Sequence, residues 1–249
     1  MLYNVNDKYV GRSLDLYGEY SEAEIDLFRQ IVHSGDIVVE VGANLGAHTV
    51  WFAKATSDGG GVIAFEPQRL VFQNLCANLA LNHVLNAIPM REACGAAAGT
   101  VIIPIVDPRV PQNFGAFTIK QDATDGDAVP LVRLDDHDIP RCRLLKVDVE
   151  GMELEVLQGA AEMIARCRPI LYVENDRKEK SPELIRYIAS LGYEMYWHRP
   201  PLFNPNNFFG NKENVFGDVA SRNMLCVHPG GKILGLPPVE VPPLPPLSE

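Results

Sequence analysis

The sequence carries little that would tie it to a membrane, a polyanion or an oxidising compartment. Among its 249 residues no apolar run approaches the ~20 needed to cross a bilayer. Residues 1–7 are polar and contain no apolar signal core, so a cytoplasmic location is expected. The net charge is −10, which argues against gripping a phosphate backbone, a task for clustered Lys and Arg, although a local basic patch is compatible with it; nucleic acid is not an expected partner. Five cysteines (Cys76, Cys94, Cys142, Cys167, Cys226) are odd in number, scattered and without C-x-x-C spacing. That argues against a disulfide framework or a zinc site and leaves each as a small apolar residue expected to be buried. No internal repeat is present. What remains, 47% hydrophobic and 22% charged, suffices for one sizeable α/β core.

One stretch organises that core. Residues 36–49 read as a strand, a glycine turn and the start of a helix. Ile37 to Val41 is a β-branched run with one interior acid, Glu40, and suits a central parallel strand. Gly42 and Gly46 bracket a turn in which bare backbone can approach a ligand at a helix N-terminus. A dinucleotide fold would want G-x-G-x-x-G, but Asn44 holds the middle position. A nucleoside with an amino-acid tail tolerates a polar side chain there, so the pattern favours S-adenosylmethionine (SAM) over a dinucleotide. The next apolar run, Val62 to Phe65, ends at Glu66-Pro67, where an acid can accept ribose hydroxyls.

The rest of the chain repeats the strand–helix rhythm. Residues 1–20 read as an extended lead-in, and Ser21 with Glu24 as a capping box for a helix stopping at Gly35. A helix over 70–81 and a third strand near 87–93, weakened by Pro89, follow. Residues 94–133 break the rhythm: two strand-like runs, 99–106 and 129–134, flank Pro- and Gly-rich text, and predict an inserted β-flap. Strand four is expected at 144–150, a helix at 153–164, strand five at 170–175, a helix from Pro182, strand six at 193–197 and a last strand at 223–227. Residues 235–249 are proline-rich and read as an extended arm or a disordered end. Five βα units and a terminal β-pair describe a doubly wound sheet with ligands at the carboxyl ends of its strands.

Three of those ends carry chemistry: Gly42-Ala43-Asn44, Asp148-Val149-Glu150 and Glu174-Asn175. If strand four runs through residue 150, alternation puts Lys146, Asp148 and Glu150 on one face. The bland alternative is a salt-bridged, helix-capping cluster. A divalent ion on Asp148, Glu150 and Glu174 is chemically conceivable, but no metal is assigned.

These motifs occur in a telling order: Val-Glu-Val-Gly-Ala-Asn-Leu-Gly-Ala-His-Thr (39–49), Ala-Phe-Glu-Pro (64–67), Asn-Leu-Ala-Leu-Asn (78–82), Leu-Lys-Val-Asp-Val-Glu-Gly-Met-Glu (145–153) and Glu-Val-Leu-Gln-Gly-Ala (155–160). Together they resemble the FkbM family of SAM-dependent methyltransferases over roughly residues 7–230. The resemblance implies a seven-stranded, mostly parallel Rossmann-like sheet with an antiparallel last strand and a β-excursion between strands three and four. It divides the chain into a lead-in and cap helix (1–35), a methyltransferase domain (36–230) and a proline-rich tail (231–249). The implied activity is O-methylation of a hydroxyl on a sugar, glycolipid or secondary metabolite. Glu40, Gly42, Ala43, Asn44, Gly46 and Thr49 would line the cofactor's amino-acid end. Glu66 and Pro67 would hold the ribose, and Glu92 the adenine edge. Asp148 would sit by the transferring methyl, with Glu150 and His198 as further catalytic candidates and His48 and Glu174 behind them. A non-catalytic SAM-binding or scaffold protein is the rival from another class, and an N-methyltransferase a lesser one: the Asp148–Gly151 strand end lacks the D/N-P-P-Y/F signature of exocyclic-amine methylation. A dehydrogenase is disfavoured by Asn44.

Overall fold

The computed structural model describes residues 1–115, 125–230 and 235–243. Residues 116–124 of the expected flap, and 231–234 and 244–249 of the tail, lie outside it. Seven strands form the main sheet: β1 Ile37–Val41, β2 Gly61–Phe65, β3 Ala87–Met90, β7 Leu144–Val147, β8 Ile170–Glu174, β9 Glu194–His198 and β10 Asn223–Val227. Their order is β3-β2-β1-β7-β8-β10-β9. Pairing is parallel from β3 through β8, and β10 runs antiparallel to both β8 and β9. Pro89 is accommodated because β3 is an edge strand. The excursion is a separate sheet in the order β4-β6-β5, built from β4 Ala93–Cys94, β5 Gly99–Ile103 and β6 Asp127–Val132.

Alternation along the strands sorts two cores. Val39, Val41, Leu145, Val147, Leu171 and Val173 face the helices α5 Glu153–Gln158, α6 Ala161–Cys167 and α7 Ser181–Ser190. Val38, Leu144 and Tyr172 face the other way, under α2 Glu22–Phe28, α3 Ala47–Thr56 and α4 Arg69–Leu81. By the same count Glu40, Lys146 and Glu174 belong to this second face, at its carboxyl end. Phe28 locks α2 there, with ring centroids 4.9 Å from both Phe52 and Tyr172. Burying such a ring contributes roughly 2–3 kcal/mol.

Several local expectations gave way to tertiary contacts. The lead-in contains a helix, α1 Val10–Tyr17, closed by Gly18 in the left-handed region. Ser21 makes no cap hydrogen bond; its own φ is +48°, and Glu24 turns into the interior instead of back to the cap. The helix expected over 153–164 splits into α5 and α6 at Gly159, which packs against the Gly95 carbonyl so closely that a Cβ would lie 2.0 Å from it. Strand four stops at Val147. Glu150 (φ +57°) and Gly151 (φ +102°) then swing the chain away, so Glu150 does not share the face of Asp148 by strand alternation. Of the cysteines, Cys94, Cys142 and Cys226 are buried; Cys76 and Cys167 are only partly so. In the tail, Trp197 donates to the Pro237 carbonyl and Val239 to that of Met195, laying residues 237–239 along the free edge of β9. No described helix is long and apolar enough to cross a membrane.

Candidate active site

The carboxyl ends of β1, β2, β7 and β8 open into a cavity of about 420 Å³, large enough for a nucleoside-sized ligand. Its floor is the β1 turn. Gly42 has φ +87°, and a Cβ on it would lie 1.8 Å from the Asp148 carbonyl, so only glycine lets the two strand ends meet. Asn44 has φ +51°, a conformation Asn tolerates better than most residues, and its side-chain oxygen accepts the Leu45 N–H at 2.7 Å. Gly42, Ala43 and Asn44 all line the cavity. Gly46 and Thr49 do not. Gly46 is the left-handed N-cap of α3, and the Thr49 hydroxyl donates to Glu40 Oε2 at 2.6 Å behind the wall.

Glu66 and Pro67 form the next wall. Glu66 is buried, and its two oxygens accept the Asn44 N–H at 3.0 Å and the Gln68 N–H at 2.9 Å. Each oxygen keeps a further lone pair. Burial raises its pKa to about 7 against those two hydrogen bonds. Glu92 lines the cavity too, with Oε2 3.2 Å from His137 Nε2.

Asp148 stands at the junction. Its side chain is 41% exposed, and Lys146 donates to Oδ2 at 3.0 Å. Lys146 is itself buried, 3.9 Å from Glu40 Oε1, and its neighbouring carboxylates raise its pKa despite the opposing effect of burial. Glu40 and Glu24 are both pushed up to about 7 by burial, with Lys146 pulling the other way. One buried cation thus serves several acids, and burial keeps Glu24 and Glu40 part-protonated near neutrality.

The remaining candidates separate. Glu150 lines the cavity but is tied to Arg177, also on the wall. Glu174 has Oε2 buried without a hydrogen-bond partner among the described residues, and burial followed by the charges of Asp148 and Glu150 lifts its pKa to about 10. The convergent carboxylates are Glu150, Glu174 and Asp176, within 4.8 Å of one another, not the trio with Asp148. Arg177 offsets two of them. His48 lines the cavity, and burial drives its pKa well down, so it is a neutral imidazole. His198 is not on the wall; its Nδ1 is 2.8 Å from the Tyr172 hydroxyl, which places it in a sheet-surface network instead of beside Asp148.

Tyr9, Val10 and Tyr20 of the lead-in, and Leu202 and residues 219–222 of the stretch after β9, also line the cavity; from the sequence the lead-in is expected to cover the cofactor site and the 94–133 and 200–222 stretches to choose the substrate, with no residue singled out. Glu24 was masked by its likeness to a helix-cap acid. For Tyr20 and Arg222 no local signal exists; only the register of β10 brings Arg222 to the cavity.

A doubly wound sheet whose first strand ends in a bare-backbone turn, and whose second ends in a buried acid, defines a nucleoside-binding α/β protein. Residues 40–195 match the methyltransferase FkbM domain, and the chain belongs to that family. It is 31% identical over 155 residues to the hexuronic acid methyltransferase AglP of Haloferax volcanii, covering 60% of this chain and 59% of that protein. The chain spans about three-fifths of the length of the curated relatives it matches. Among solved structures it is similar to the methyltransferase FkbM of Methylobacillus flagellatus (TM-score 0.52, 20% identity, 77% of this chain and 43% of that one). A putative methyltransferase from Streptococcus mutans in complex with SAH is similar at TM-score 0.50 and 10% identity, over 82% and 96% of the two chains. Both likenesses concern the Rossmann-like fold.

Proposed function

We propose that this chain transfers the methyl group of SAM to an oxygen of a sugar or a related small acceptor. The observation that carries the reading is the joining, in one cavity, of a bare-backbone turn, a buried acid with lone pairs to spare and a reachable Asp148 held by a buried lysine. The family and the SAH complex of a structural neighbour support the cofactor, and a relative that acts on a hexuronic acid supports the acceptor class.

The residues suit that cofactor. A Cβ at Gly42 would fill the place where backbone meets backbone, and Glu66 retains acceptors for two ribose hydroxyls. SAM supplies a methyl already activated by its sulfonium. The protein has then to place an oxygen in line with it and accept a proton. Asp148 takes that proton, while Lys146 fixes its carboxylate by holding Oδ2. His48, Glu150 and Glu92 complete the lining. Asn44 fixes the turn, and the Glu40–Thr49 pair braces the start of α3.

The test is a SAM titration followed by a transfer screen with labelled SAM and a panel of sugars and glycosides. Saturable binding with transfer to an oxygen is expected. Absence of SAM binding, or binding without transfer to any acceptor offered, counts against the reading.

A further inference from the structure

Among the described residues three Lys or Arg side chains line the cavity, and two of them are already engaged. Lys146 is committed to Asp148 and Glu40, and Arg177 to Glu150 and Asp176. Arg222 is different. It makes no ion pair among the described residues, its Nε is buried without a hydrogen-bond partner, and yet it lines the cavity. Its guanidinium is stacked 4.4 Å from the centroid of the Trp197 ring, which fixes its plane. Its backbone is fixed as well, since its carbonyl accepts the Asn175 N–H at 2.8 Å. Arg199 also approaches Trp197, at 5.5 Å, and it too has no acidic partner among the described residues. Two guanidiniums thus approach one ring, and neither is answered by an ion pair among the described residues; of the two, Arg222 lines the cavity. A planar, pre-oriented fork of N–H donors matches a carboxylate in two-point geometry.

We propose that Arg222 anchors a carboxylate on the methyl acceptor, so that the chain selects acidic sugars over neutral ones. This rests on the methyltransferase reading and narrows its substrate. The surrounding acids sharpen the role of Arg222. An acceptor carboxylate entering without it would meet Asp148 and Glu150, whose partners Lys146 and Arg177 are already engaged, with no other unengaged cation among the described lining residues. Arg222 immediately precedes β10, and β7 and β8 stand between β10 and β1 in the sheet, so it reaches the cavity from a different strand end than the Gly42–Asn44 turn.

The experiment compares wild type with Arg222→Gln and Arg222→Lys. SAM is titrated first; then, in the presence of SAH, 4-nitrophenyl β-D-glucuronide and 4-nitrophenyl β-D-glucoside are titrated into each protein. Wild type should bind the glucuronide at least about tenfold more tightly than the glucoside, the scale of a charge-assisted hydrogen-bond pair. Arg222→Gln should erase that preference while leaving SAM affinity unchanged. Arg222→Lys, which keeps the charge but loses the fork, should recover only part of it. Equal or undetectable binding of the two glycosides by wild type, or a preference that survives in Arg222→Gln, overturns the inference while SAM binding stands. Failure of SAM binding in wild type overturns the methyltransferase reading and this inference together.

Discussion

The two walls of the cavity are built on different principles. The wall proposed for the cofactor is made by short stretches that follow one another along the chain: residues 40–44, then 65–67, each at the end of a strand. Its bonds are local or between neighbouring strands, as when Glu66 receives the Asn44 and Gln68 amides. The wall proposed for the acceptor is stitched from distant segments. Tyr17 at the end of α1 donates its hydroxyl to the Glu213 carbonyl and accepts the Val215 N–H. Glu19 holds the Asn204 side chain and the Phe208 amide. Tyr17, Leu202 and Phe216 form a small core of their own. The N-terminus is also pinned to the stretch before the undescribed part of the flap, through Lys8 and Gln112. A wall of the first kind can be inherited as a motif. One of the second kind can change its acceptor by changing loops without disturbing the cofactor.

That contrast can be broken most severely at Gly42. Gly42→Val must push β1 away from the Asp148 carbonyl and adopt a φ that valine rarely takes. Loss of SAM binding and a large fall in Tm are expected in calorimetry; a protein that binds SAM normally would mean the turn is not the cofactor's floor. Asp148→Asn comes next. It should leave SAM affinity alone and lower kcat by about 100-fold or more, the ordinary range for losing a general base. Unchanged turnover would remove Asp148 from proton transfer. Glu66→Ala should weaken SAM by about 1–2 kcal/mol, roughly tenfold, read by titration. A change in acceptor KM alone would place Glu66 on the wrong wall.

Tyr17→Phe tests the acceptor wall. It strands the Glu213 carbonyl and the Val215 amide at a cost of about 1–2 kcal/mol. Acceptor KM should rise several-fold while SAM affinity stays fixed; the reverse pattern would erase the division between the walls. The smallest effect is on pH dependence. Glu24, Glu40 and Glu66 have folded pKa values near 7, raised by burial from an ordinary 4.5, so the folded protein holds protons that the unfolded chain releases. Their stabilising contribution is full below pH ~4.5 and is lost as pH rises through about 7. Tm of the ligand-free protein should therefore fall between pH 5.5 and 8, and a rise over that window would mean these acids are ionised when buried.

Legibility followed the same line. The strand at 223–227 and the glycine turn were readable because alternation and turn chemistry are properties of a few consecutive residues. Ser21 and Glu24 had the spacing of a cap, yet Glu24 is drawn into the interior by Asn223, which donates to it from 199 residues away. His198 has the chemistry of a base, but its strand lies at the sheet edge and its ring is engaged by Tyr172. Gly159 ends a helix because of a backbone it meets only in the folded state.

By itself the sequence determined the doubly wound sheet, the cofactor turn and the acids at the strand ends, because apolar period and positive-φ requirements act locally. Tertiary structure alone decided which acids share Lys146, which lining arginine lacks an ion pair among the described residues and which loops line the cavity. Those outcomes depend on strand register and burial, and both arise only when residues far apart in the chain are brought together.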